Sequence, residues 1–169
     1  MNRLLPVTAL VAASLFATSE ARADPYGVGL GVAAGANLAD GDGLDLDISF
    51  SWGFFVDIPL LETFYITPAA TLYQLDGGSD GNIAITDIDL NFKFIVPLSR
   101  MSIGAGFTAG LTTGLGDYQT HIGGLGYVGF NLVSNLDLFG MVQYKRLTTG
   151  GNIPNYNNIH LFAGTMFRF

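Results

Sequence analysis

Between positions 44 and 58 the side chains alternate without a break. Leu44, Leu46, Ile48, Phe50, Trp52, Phe54, Val56 and Ile58 share one parity, and Asp45, Asp47, Ser49, Ser51, Gly53, Phe55 and Asp57 share the other. A β-strand turns successive side chains to opposite faces, whereas a helix would scatter both sets around its axis. This stretch is therefore a strand with one bulky apolar face and one mostly small or polar face. The pattern recurs. Ile88, Leu90, Phe92, Phe94 and Val96 alternate with Asp87, Asp89, Asn91, Lys93 and Ile95, and Met101, Ile103, Ala105, Phe107, Ala109 and Leu111 alternate with Ser and Gly. Val28 to Ala34 is a gentler version, with Gly27, Gly29 and Gly31 on the other face. Phe64, Ile66, Ala70 and Leu72 oppose Tyr65, Thr67, Thr71 and Tyr73. A Gly-rich strand is expected near 121–132, with a facing that the pattern does not fix. One near 136–146 places Gln143 and Lys145 on the polar face. In the last thirteen residues Ile159, Leu161, Ala163, Thr165, Phe167 and Phe169 form the eighth apolar face.

The connections fall into two kinds. Pro59–Glu62, Pro97–Arg100 and Val133–Asn135 are tight and lie about 38 residues apart, one hairpin. Leu38–Gly43, Asp76–Asn82, Thr113–Thr120 and Leu147–Asn157 are rich in Gly, Asp, Asn and Thr and are expected to be loops. Short turns on one rim and longer loops on the other describe an up-and-down meander. With both ends of the meander on the short-turn rim the strand number is even, and eight fits the length.

Alternation does not say which face is wet. A soluble barrel turns its apolar face inward. Eight strands, however, leave an interior just wide enough for side chains, and a small-residue lining suits that space better than a crowd of phenylalanines. A soluble exterior carries roughly a quarter to a third charged residues, whereas this chain is only 12% charged. The apolar face is therefore expected to meet lipid, which requires a closed sheet because lipid offers backbone N–H and C=O groups no partner. No segment beyond the N-terminal region approaches the ~20 apolar residues of a membrane helix. Trp52, Phe54, Phe64, Phe94, Phe130, Tyr144, Phe167 and Phe169 suit interfacial girdles. Arg3, the apolar run Leu4–Ala17 and Ala21-Arg22-Ala23 read as a secretory leader, residues 1–23, cleaved before Asp24. That leaves residues 24–169 as one domain. There is no cysteine, which excludes disulfides and an N-terminal lipid anchor, and a net charge of −7 argues against nucleic acid as a partner.

The leader, the alternation and the terminal Phe169 together resemble the small eight-stranded bacterial outer-membrane β-barrels of the OmpX and OmpA-transmembrane type. The resemblance covers Tyr26 to Phe169. It implies a closed antiparallel up-and-down transmembrane barrel in the cell outer membrane, reached through the periplasm. It also implies a monomer in contact with outer-membrane lipid and lipopolysaccharide, and recognition of the last strand, with Phe167 and Phe169, by the barrel-assembly machinery. Such a fold hosts many functions.

The ionisable residues of the polar parity are Asp45, Asp47, Asp57, Asp87, Asp89, Lys93, Lys145 and Arg168. Buried charges must be paired, so these are expected to form a polar network that fills the lumen. Lys145 should lie near the loop rim with Asp45, Asp47 and Asp87, Arg168 and Asp57 near the turn rim, and Lys93 between. The alternatives are a narrow pore or an enzyme acting on lipid A. The deacylase type among such barrels carries His-x-Ser, but here His160 is followed by Phe162 and His121 by Gly123. The palmitoyltransferase type needs His, Asp and Ser at the outer rim, and the spacing of Ser79, Asp80 and His121 gives it no support. Both histidines are read as rim residues, with no catalytic group. Asp40–Asp47 fails the EF-hand pattern at its sixth and twelfth positions, and the acidic loop residues read as solvated turn carboxylates. Gly27–Gly31 lacks the helix that a dinucleotide fingerprint needs. No cofactor or metal is expected. The reading is a non-catalytic barrel with a structural or surface-interaction role.

Overall fold

The computed structural model describes residues 27–41, 44–76, 81–114, 118–148 and 156–169. The expected leader lies outside them. Eight strands follow in chain order: β1 (Gly29–Gly41), β2 (Leu44–Leu61), β3 (Phe64–Asp76), β4 (Asn82–Leu98), β5 (Met101–Thr113), β6 (Gln119–Val133), β7 (Leu136–Thr148) and β8 (Tyr156–Arg168). Each is antiparallel to the next, and β8 returns to β1 to close the barrel. The closing seam is continuous, from Gly29 opposite Arg168 to Gly41 opposite Tyr156. Beyond it the Phe169 N–H donates to the Val28 carbonyl at 3.0 Å.

The strands outrun the turns expected from sequence. β1 continues to Gly41 and β2 begins at Leu44, so most of Leu38–Gly43 is ladder. Pro59 and Pro97 also lie inside strands, close to the turn-side ends of β2 and β4. A proline is tolerated where the ladder is ending or irregular, and the β2–β3 register shifts between Pro59 and Leu61. The turns shrink to Glu62–Thr63, Ser99–Arg100 and Ser134–Asn135. Ser99 takes φ 59°, the positive φ that the favoured two-residue hairpin turns use at their first position.

The polarity of the molecule is inverted relative to a soluble protein. Phe50 is 68% exposed and Trp52 51%, while Lys93 and Lys145 are among the largest fully buried side chains. The outward parity carries Ile48, Phe54, Ile88, Phe94, Phe107, Ile122 and Leu161, all exposed. Backbone groups are paired around a closed sheet, so the apolar exterior can sit in hydrocarbon without unpaired donors.

The interior is not the small-residue lining expected above. Phe55, Tyr65, Leu125, Tyr127, Phe139, Met141, Phe162 and Met166 form one buried apolar cluster. The ring of Phe55 meets those of Phe139 and Phe162 edge-on, with centroids 5.6 Å apart in each case. A second cluster, Ala39, Tyr73, Leu75, Ile85 and Leu147, sits at the loop-side ends of β1, β3, β4 and β7. The small inward residues make room for these large ones. A Cβ on Gly53 would lie 2.8 Å from the Phe55 ring, and one on Gly29 would lie 2.7 Å from Met166 Sδ. Large and small side chains thus fill the bore together, as close packing demands.

Candidate functional site in the lumen

Two ion-paired clusters occupy the bore. The loop-side cluster is built on β4, where Asp87 and Asp89 share the inward parity. Lys145 Nζ, on β7 across the bore, donates to Asp87 Oδ2 and Asp89 Oδ2, each at 2.8 Å. Thr112 Oγ1 donates to Asp87 Oδ1 at 2.7 Å and lies 2.9 Å from His121 Nδ1, and His121 Nε2 lies 2.7 Å from Asp89 Oδ1. His160 Nε2 lies 3.5 Å from Asp87 Oδ2. Asn158 donates to Tyr73 Oη at 2.7 Å, and Tyr73 in turn reaches Asp87. Below this cluster Gln143 of β7 donates to Asn91 Oδ1 of β4 at 2.8 Å, a second strut across the bore.

Thr112 thus links Asp87 to His121, and His121 in turn reaches Asp89, so the threonine and the histidine tie together the two carboxylates of β4.

The turn-side cluster centres on Asp57 of β2. Lys93 Nζ lies 2.5 Å from Asp57 Oδ1, Thr67 Oγ1 donates to the same oxygen at 2.7 Å, and Arg168 Nη2 lies 3.4 Å from Asp57 Oδ2. Arg168 Nε donates to Asp137 Oδ2 at 2.6 Å. Lys93 stands 4.9 Å from the centre of the Tyr127 ring and Arg168 5.7 Å from that of Tyr65, within cation–π range. These aromatic rings belong to the buried apolar cluster that surrounds the lower charges.

No family model matches the chain, and no curated protein matches it in sequence. Solved structures do match. Neisserial surface protein A superposes with a TM-score of 0.71 at 16% identity, over 84% of this chain and 97% of that one. Ail, the attachment invasion locus protein of Yersinia pestis, gives 0.53 at 14% identity, over 83% of this chain and 99% of its own. The outer membrane protein OprG of Pseudomonas aeruginosa gives 0.52 at 11%, over 89% and 99%. The fold is that of the eight-stranded outer-membrane β-barrels.

Within that outer-membrane-barrel fold the residues singled out by sequence divide as follows. Asp57, Lys93 and Arg168 meet in one cluster, and Asp87, Asp89 and Lys145 in the other. Lys93, expected between the two groups, is ion-paired with Asp57 in the turn-side cluster. Asp45 and Asp47 lie on β2, outside the residues whose side chains are described, as does most of the acidic loop around Asp42. The girdle aromatics Trp52, Phe54, Phe94, Phe130 and Tyr144 face outward and are exposed. Phe167 faces outward, and its ring meets that of Phe169 edge-on at 5.0 Å.

The histidines are the main correction. Neither is a rim residue: His121 is 1% exposed and His160 fully buried. Both have the inward parity of their strands, and each finds a carboxylate of β4. Thr112, Thr67, Asn91, Asn158 and Tyr73 also belong to the network and were not singled out. Their inward parity was legible, but their partners lie on strands whose relative height the sequence does not state.

Thr112, His121 and Asp89 have the connectivity of a nucleophile, base and orienting acid. Each side chain is 3% exposed or less, and the threonine hydroxyl is committed to Asp87. A base must have access to a substrate proton as well as to its partner, and this array offers no approach. Among the described residues no three His, Asp or Glu side chains are grouped to hold a metal ion.

Proposed function

We propose that this chain is an integral outer-membrane barrel whose bore is closed by its own side chains, with a structural or surface-interaction role and no catalysis. The observation that carries this reading is the pair of struts, Lys145 to Asp87 and Asp89, and Gln143 to Asn91, which cross the bore inside a wall whose outer face is apolar. An edge-packed aromatic group, Phe55, Phe139 and Phe162, adds a further obstruction. Buried ion pairs are costly to open one partner at a time, which disfavours a conducting state. The closed sheet has no free edge, in keeping with a monomer. We further propose that the assembly machinery reads β8 through Phe167 and Phe169. Replacing Phe169 with Ser should lower the outer-membrane yield in a Gram-negative host without altering refolding in detergent.

Planar-bilayer recordings on refolded protein test the closed bore. No steady ohmic current is expected, and a stable conductance proportional to voltage would replace this reading with the pore. Mass spectra of lipid A from cells with and without the gene test the absence of catalysis. Unchanged acylation is expected, and an altered acyl pattern would favour the enzyme.

A further inference from the structure

The chain has seven Lys and Arg residues. Arg3 and Arg22 lie in the expected leader. Lys93, Lys145 and Arg168 are enclosed by the bore, and Arg100 occupies a turn on the short-turn rim. Arg146 remains. It is exposed, has the outward parity of β7, and makes no ion pair among the described residues. It sits two residues from the loop-side end of its strand. At ~3.4 Å per residue and a tilt of ~40°, Arg146 stands about 26 Å above Leu136 on the same strand. That is level with the top of an outward apolar band ~25 Å tall.

Its cross-strand neighbour on β6 is the apolar Ile122, and its neighbour on β8 is polar. Asn157 of β8 is the cross-strand partner of Arg146. Tyr144 Oη donates to Asn157 Oδ1 at 2.9 Å. That bond occupies the amide oxygen, and the Asn157 NH2 group stays a donor on the residue paired with Arg146. Thr120, exposed on the same outward parity of β6, adds a hydroxyl one strand away. A planar guanidinium with an amide donor next to it matches the oxygens of a phosphate group. An arginine at this height is favourable when an anion meets it there and unfavourable deeper in hydrocarbon.

We infer that Arg146 and Asn157, with Tyr144 holding the amide, form a binding site for the phosphate of an outer-leaflet lipid headgroup on the outer wall of the barrel. The inference rests on the outer-membrane reading above and deepens it: the ligand class is a phosphorylated lipid whose acyl chains lie along the apolar wall below.

The test uses the refolded chain in phosphatidylcholine bilayers doped with bis-phosphorylated lipid A, or with the same lipid A stripped of phosphate. Native mass spectrometry reads the lipid retained per barrel. The wild-type chain should retain phosphorylated lipid A, and Arg146→Gln should lower that retention at least tenfold. Asn157→Ala should lower it less, and Arg100→Gln, on the other rim, should leave it unchanged. Equal retention by Arg146→Gln, or equal retention of the stripped lipid, would overturn the inference. So would full displacement by millimolar inorganic phosphate, which would mark a site for free phosphate. Heat-modifiable gel mobility, read on every sample, separates the two claims. A chain that never inserts defeats the outer-membrane reading, and one that inserts but holds lipid independently of Arg146 defeats only this inference.

Discussion

Lys145 shows how much depends on a single side chain in this bore. It is fully buried and holds two carboxylates that stand on the same strand. Removing it leaves Asp87 and Asp89 facing each other without that cation. Lys145→Ala should therefore cost about 3–5 kcal/mol, read as a lowered denaturant midpoint by Trp52 fluorescence. Adding Asp89→Asn to that variant should recover part of the loss, because one buried charge is then removed. A midpoint unchanged by Lys145→Ala would mean that the strut carries no energy. The sequence made the inward parity of Asp87, Lys145 and Arg168 plain. It did not reveal that Lys93 belongs with Asp57, or that the histidines lie within the bore. Parity names the face of a strand, but height follows from tilt and stagger, which no single strand records.

The strand is the scale at which this chain is most readable. Bulky outward residues and small or polar inward ones make β2, β4 and β5 legible residue by residue, whereas the Gly-rich β6 is fixed only by its neighbours. Pro59 and Pro97 mislead as turn markers because a proline near the end of a strand costs the ladder little. The seam between β1 and β8 is the element that converts a sheet into a barrel, and close approach there is built on glycine. A Cβ on Gly35 would lie 1.7 Å from the Leu161 carbonyl oxygen, whereas one on Gly124 would meet nothing nearer than 3.8 Å. Gly35→Ala should therefore destabilise the folded barrel by about 1–3 kcal/mol and lower the refolding yield. Gly124→Ala, on the outward face of β6, should be neutral within ~0.5 kcal/mol. Urea titrations of the two variants against the parent check the contrast, and equal effects would mean that the seam is not closed as described.

For the whole molecule, one inversion of polarity organises the rest. Lys93, Lys145, Asp57, Asp87, Asp89 and both histidines are buried in the bore, and Phe50, Phe54, Phe94, Phe107 and Phe130 are exposed on the wall. A closed sheet satisfies the backbone, charge pairs satisfy the interior, and the apolar exterior requires lipid in place of water. The folded barrel should therefore resist detergent at room temperature and change its gel mobility on boiling, while a sample with identical mobility boiled and unboiled would indicate no such closed unit. Trp52 gives the most direct measurement, because it is the sole tryptophan in the chain and faces outward at 51% exposure. In bilayers its fluorescence should be quenched by lipids brominated along the acyl chain and spared by iodide in the buffer. Strong quenching by iodide with none from the brominated chains would place Trp52 in water and contradict the inversion on which the whole account stands.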